Sequence, residues 1–375
     1  PYYRRLYPNA EIAIVVAEGV AGLAEACPFV DQVITFDRGK MLSQPHYAAE
    51  FVRQLRNEQF DVTICPAFSR DKVSEFITIN SGAAEKITCS GDTANLPADV
   101  LKANNLHYTK IVPMSEGMAL ETCRNEEFLN GLGVELDGPY RPTVWITQAD
   151  KEAAEQLLNH GAITEPLVVV PFAQQGIRNW PPENWAKLVS MYPDVPVLIC
   201  GIEKDRPAAE AIISLANHPN IHNLCGLTTV RQLAALIARS SVCISSESAA
   251  AHLAAAVNRP HVVLVGGGHF GRFMPYCPQT AIVHNKMDCY NCNWQCRYGR
   301  DIRCISSLSV DMVKRAVDQA HGGAWLLSVS GGGNTVGPHD KDITGTSNFL
   351  ASAIVSTCNS ERFIRGCLED LENQT

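Results

Sequence analysis

Three observations predict an α/β protein made of two doubly wound units. Short apolar runs alternate with stretches of helical periodicity from residue 11 to residue 321. Most of these runs are apolar at every position rather than at alternate ones, which suits parallel strands covered on both faces. The length, 375 residues with 46% hydrophobic side chains, matches two domains of ordinary size.

Residues 2–7 read as the tail of a helix. Strands are expected at 11–17, 32–36, 61–65 and 86–89. Between the second and third, Ala48, Phe51, Val52 and Leu55 share one face of an amphipathic helix. The turn-rich Gly138–Pro142 stretch and the helix expected at 149–159 mark the passage between units. Further strands follow at 167–173, 195–201, 221–225, 242–246 and 261–266, and a helix at 309–321 closes the second unit. The expected division is therefore 1–140 and 141–322, then a Gly/Ser/Thr-rich linker at 323–350 and the start of a further domain at 351–375.

Composition excludes several classes. The formal net charge is −8, with no long basic run, so nucleic acid is not an expected partner. No apolar stretch reaches the ~20 residues of a membrane span. The opening Pro1–Arg5 has none of the features of a secretion signal. Most of the 14 cysteines are scattered singly, the pattern of reduced thiols in a cytoplasmic protein.

Four segments carry candidate chemistry. In the first, an apolar run enters the polar loop 171–179, and a helix opens at Pro181 and Pro182 with Glu183 in its first turn. Such a loop lies where open α/β sheets bind ligands, and Arg178 there is either a phosphate fork or a surface side chain. In the second, Glu247 and Ser248 end a strand before the Ala-rich helix that carries His252. Small residues in a first helical turn leave backbone N–H groups open to an anion; a packing helix with a core histidine is the other reading. The third is the Gly266–Gly268 triplet followed by His269 and Arg272, a close backbone approach to a ligand or a tight turn. The fourth is Cys289-x2-Cys292-x3-Cys296-x7-Cys304. That spacing fits no standard zinc or ferredoxin pattern and leaves a thiolate metal site or reduced thiols as alternatives.

Together these segments resemble glycosyltransferase family 9, the ADP-heptose:lipopolysaccharide heptosyltransferase-like proteins. Trp180-Pro-Pro-Glu-Asn-Trp185 matches W-P-x-x-x-[WF]. Glu247-Ser248-Ala-Ala-Ala-His252-Leu-Ala-Ala-Ala256 matches [DE]-[TS]-x-x-x-H-[LI]-A-A-A, and Gly266–Tyr276 matches a glycine and R-x-x-P-Y segment. The resemblance implies a GT-B fold, two Rossmann-like domains facing across a cleft, the second of which binds the donor. It implies Gln174, Arg178, Asp205, Glu247, Ser248 and His252 as donor-site residues, and Gly267, His269 and Arg272 as a possible donor loop. The activity implied is an inverting, metal-independent transfer of heptose from a nucleotide-diphospho-sugar to lipopolysaccharide or another lipid-linked surface glycan, with peripheral contact at the inner face of the membrane. A GT-B sugar-nucleotide epimerase or hydrolase, and a non-catalytic nucleotide- or metal-binding fragment, are the alternatives. Glu247-Ser248-Ala249 departs from the more usual Asp-Thr/Ser-Gly. The family's first strand, with the glycine/aspartate turn that carries the acceptor-side base, has no counterpart here, so no base is assigned; Asp61 and Glu18 lie near strand ends. Residues 351–375 resemble the opening of a family 2 glycosyltransferase.

Overall fold

The computed structural model describes residues 1–322, except 118, 119, 139, 174, 275–278 and 300, and the backbone of 327–329 and 335–336. The family 2-like segment at 351–375 lies outside the described residues.

Eleven strands lie within residues 1–322: β1 (Ala13–Ala17), β2 (Gln32–Phe36), β3 (Val62–Cys65), β4 (Glu85–Cys89), β5 (Lys110–Val112), β6 (Leu167–Val170), β7 (Val197–Ile199), β8 (Ile221–Asn223), β9 (Val242–Ser246), β10 (His261–Leu264) and β11 (Thr280–Val283). Two more, β12 (Leu327–Val329) and β13 (Thr335–Val336), fall where the sequence suggests only linker. β12 pairs in parallel with β11, and β13 turns back antiparallel.

The second unit is the clearer one. Its sheet order is β13-β12-β11-β10-β9-β6-β7-β8. From β8 to β11 this is the doubly wound order 3-2-1-4-5-6, whose direction reverses between β6 and β9. Alternate residues of one strand serve opposite cores. Leu167 and Val169 pack with Val197, Ile199 and Ile244 on one face, and Val168 and Val170 with Leu198 and Cys243 on the other. Both faces are covered, which is why these strands read as continuous apolar runs. The first face takes α1 (Pro182–Ser190), α2 (Arg206–Ala216) and α3 (Val310–His321). In α1, Trp185 and Leu188 are buried, and Trp180 just before it donates Nε1–H to the Leu308 carbonyl at 3.0 Å.

The first unit departs from a single doubly wound sheet. It has two short parallel sheets, β1-β2 and β3-β4-β5. Between them lies a cavity of about 660 Å³, bounded by Ile12–Val15 on one side and Val62–Ile64 on the other. Val16, Val20 and Ala24 pack into the second core of the large sheet. Arg231 adds polar joints, donating Nε–H to Asp150 at 3.0 Å and bonding the Gly22 carbonyl.

Candidate functional site

The carboxyl ends of β6, β7 and β9 open on a crevice of about 220 Å³ at the switch point of the large sheet. Phe172, Asp205, Thr229 and Ser248 are among its lining residues. Open α/β sheets bind ligands at this position.

Ser248 stands at the N-cap of the helix Ala249–Ala256, hereafter the alanine helix, with extended backbone. Its side chain makes no cap bond, and its buried Oγ has no hydrogen-bond partner. The first N–H groups of the alanine helix therefore face the crevice uncapped, beside the methyl groups of Ala249 and Ala250. Asp205 ends a short turn (Glu203–Asp205) after β7, where its Oδ2 accepts the Ile202 N–H at 3.0 Å. Burial raises the Asp205 pKa, against that backbone bond and Lys204.

Arg178 lies in the Gly176–Arg178 turn and is 6% exposed. Its Nη1 donates to the Glu247 carbonyl at 3.1 Å, its guanidinium faces the Trp294 ring at 5.5 Å, and its buried Nε has no partner. The Glu247 carboxyl is pushed up to about 7, chiefly by burial, with Arg178 and the Gly266 N–H opposing the shift. One of its oxygens, Oε2, is unpartnered. Arg178 thus fastens to the backbone at the end of β9, while Ser248 and Asp205 line the crevice itself.

Other expected residues are placed differently. His252 and Ser248 do not share one ligand-facing surface. Ser248 is a cap with non-helical backbone, whereas His252 lies on the wall of the 660 Å³ cavity. Burial, with His261 and Arg178 nearby, drives the His252 pKa well below the ordinary histidine value and keeps the ring neutral. Gln174 lies outside the described residues.

The glycine triplet also has another cause. A Cβ at Gly266 or Gly268 would enter the Trp294 indole, and one at Gly267 would enter the Tyr290 ring. The close approach is to aromatic side chains of this chain. Backbone bonds fasten the same contact, from Asn291 N–H to the Gly267 carbonyl at 2.6 Å and from Asn293 N–H to the Gly268 carbonyl at 3.1 Å. His269 is held within this layer: Nδ1 accepts the Trp294 indole N–H at 3.2 Å, which leaves Nε2 to donate to Asn293 Oδ1 at 2.9 Å.

Arg272 is a bridge between units. Its Nε meets Glu121 at 2.6 Å, Nη2 meets Ser69 Oγ at 2.5 Å, and Nη1 lies 3.7 Å from Asp92. Its carbonyl also accepts the Glu121 N–H at 2.9 Å. Ser69 and Asp92 follow β3 and β4, so Arg272 brings the carboxyl ends of both units together. Asp61 precedes β3 and so lies at the opposite end of its strand, while Glu18 follows β1. Trp294, Tyr290 and the partners of Arg272 escaped sequence reasoning; the only sequence signal was the pair of aromatics between closely spaced cysteines.

A Rossmann-like unit with an uncapped helix at its switch point, bridged at its ligand end to a second parallel-sheet unit, has the GT-B architecture. A family model described as glycosyltransferase family 9 (heptosyltransferase) matches residues 48–300. The chain belongs to that family. It is 26% identical over 297 residues to lipooligosaccharide heptosyltransferase 2 of Haemophilus ducreyi, covering 76% of this chain and 82% of that protein. The corresponding Haemophilus influenzae protein is 25% identical over 269 residues, covering 69% and 75%. Among solved structures, a family 9 glycosyltransferase from Veillonella parvula superposes with a TM-score of 0.68 at 17% identity, covering 86% of this chain and 91% of that one. E. coli ADP-heptose lps heptosyltransferase II gives 0.65 at 17% identity, covering 85% and 92%.

Proposed function

We propose that the chain transfers heptose from ADP-heptose to a lipopolysaccharide-type acceptor, with the donor bound in the 220 Å³ crevice of the second unit. One observation carries the assignment of the site: Arg178, Glu247 and Ser248 each hold a buried, unpartnered polar atom, and Ser248 lines the crevice at the open N-terminus of the alanine helix. Buried polar groups normally have partners, and a cluster without them suits a polar ligand. In this reading the alanine-helix N–H groups, Ser248 Oγ and Arg178 receive the diphosphate, and Asp205 accepts from a hydroxyl of the nucleoside.

The chemistry is a displacement. An acceptor hydroxyl oxygen forms a bond to the anomeric carbon and releases its proton to a base, while the bond from that carbon to the diphosphate breaks. ADP leaves with the electron pair. The helix dipole and Arg178 stabilise the charge that develops on it. The relatives' names support the substrate pair, and a lipid-linked acceptor would place the work at the inner membrane face. Among the described residues no helix is long and apolar enough to cross a membrane. The cavity between β1 and β3 supports one further reading, in which another parallel strand completes the first sheet and brings an acceptor-side carboxylate to the cleft.

The test is calorimetric titration with ADP, UDP, GDP and CDP, followed by transfer from ADP-heptose. ADP should bind preferentially, and Arg178→Ala should weaken it at least about tenfold, or 1.4 kcal/mol. Equal affinity for all four diphosphates, or an Arg178→Ala variant with unchanged affinity, would overturn the donor assignment.

A further inference from the structure

The four cysteines at 289–304 take no part in the donor reading, yet the fold gathers them. Cys289, Cys292, Cys296 and Cys304 all line one small void of about 10 Å³, under Gly267 and beside Trp294. All four thiols are free. Burial pushes the Cys304 thiol up, the Gly267 N–H bonds its sulfur and opposes that shift, and the other three cysteines are close enough to raise it further. The sulfurs ring the void rather than closing on it; among the described residues no three His, Cys, Asp or Glu side chains form a ligating group.

We propose that Cys289, Cys292, Cys296 and Cys304 close on one thiophilic transition-metal ion, zinc or iron, as a mononuclear tetrathiolate centre. The donor set selects the ion, because four soft sulfurs in a tetrahedral array suit zinc or iron and not calcium or magnesium. A single ion needs no inorganic sulfide, so the four thiolates alone complete its tetrahedral shell. Binding a divalent ion releases four thiol protons and leaves the site with two negative charges. Arg303, which also lines the void, offsets part of that charge. Cys304 is the buried anchor, and the other three lie partly exposed on the loop, leaving an entry path.

The centre has a definable task. The loop that bears Cys289–Cys296 carries Tyr290 and Trp294, the two rings that lie on the glycine triplet, and Trp294 also faces Arg178. Asn291, Asn293 and Trp294 in that loop have left-handed backbone, with φ of 66°, 52° and 60°. Three non-glycine residues in this region carry a local conformational cost. Ion binding would offset it and hold the aromatic wall in register.

The test is metal analysis of the full chain, purified anaerobically from cells supplied with zinc and iron. The expected content is about one zinc or iron per chain, falling below about a tenth in Cys292→Ser and in Cys304→Ser. Because those variants could misfold, the wild-type chain supplies an independent readout. Cobalt added after chelation should give thiolate-to-cobalt charge-transfer absorption and the intense visible bands of a tetrahedral site. Chelation should also raise the rate at which the thiols react with a disulfide reagent, and zinc should reverse it. Wild-type protein with neither stoichiometric metal nor the cobalt bands overturns the proposal. So does a disulfide between any two of the four cysteines, or metal content unchanged in both variants. ADP titration of the same samples separates this result from the fate of the donor assignment.

Discussion

Replacing Glu247 by glutamine should make the protein more stable in base and leave it nearly unchanged in acid. The folded chain holds the Glu247 proton up to about pH 7, whereas the unfolded chain releases it near the ordinary value of 4.5. Between those two values the unfolded state binds fewer protons, so stability falls as pH rises through the window. Below 4.5 both states are protonated and the penalty is absent; above 7 it is complete. At 1.36 kcal/mol per pH unit, the gap between 4.5 and about 7 corresponds to about 3 kcal/mol. Glutamine keeps the shape and cannot ionise, so any cost of fitting its amide is the same at every pH. Guanidinium unfolding of both proteins at pH 5 and pH 8 isolates the term as a difference of differences. The variant should gain about 2–3 kcal/mol relative to wild type between the two pH values. A difference that is the same at both would show that Glu247 ionises normally in the folded chain, and the burial argument would fail.

Two further predictions concern packing and the joint between units. Arg272→Ala leaves the nearly buried Glu121 carboxylate without the guanidinium 2.6 Å away and should cost about 2–3 kcal/mol, less than the ~3–5 kcal/mol of a fully buried broken pair because the contact keeps some solvent. Urea unfolding measures it, and a loss under about 0.5 kcal/mol would mark the bridge as an ordinary surface pair. Gly268→Ala sets a methyl group inside the Trp294 ring. It should cost about 1–3 kcal/mol, as overpacking does; an unchanged melting midpoint would show that the ring has room to move.

Much of the second unit was legible in the sequence because its strands are buried on both faces. Val242–Ser246 was read with its observed bounds, and β6 and β10 were placed but drawn too long, since their apolar runs continue into the loops that leave the sheet. Lys110–Val112 and Thr280–Val283 were missed: the first is short and opens on a lysine, and the second carries no flanking turn signal strong enough to separate it. Around the candidate site, Glu247 and Ser248 are legible as a strand end meeting a helix start, and Arg178 as part of the polar loop that follows β6. The sequence does not show which way His252 faces, because Ser248 is a cap with extended backbone and the helical spacing begins only at Ala249. The glycine triplet was visible, but what approaches it was not. Tyr290 and Trp294 lie more than twenty residues away, and local patterning holds no trace of that contact.

The orphaned polar atoms and the raised Glu247 carboxyl are two sides of one arrangement. Arg178 Nε, Glu247 Oε2 and Ser248 Oγ are buried without partners, and each such atom costs about 1–3 kcal/mol. Three together are a sizeable fraction of the ~5–15 kcal/mol by which a protein is stable. Strands β6 and β9, buried on both faces, hold them in place regardless. In the proposed donor site a diphosphate would supply acceptors for Nε and Oγ, and Glu247 would join them only as the neutral acid, through its O–H. Once ionised, it faces the diphosphate as a like charge. ADP affinity of the wild-type chain should therefore fall between pH 6 and pH 8, by about fivefold if the lost bond is worth 1.4 kcal/mol and by at most about tenfold. Glu247→Gln offers an N–H donor at every pH and should keep its affinity across that range. Calorimetric titration of both proteins at the two pH values decides the matter: a parallel decline in the glutamine variant would place the titrating group elsewhere and remove Glu247 from the donor site.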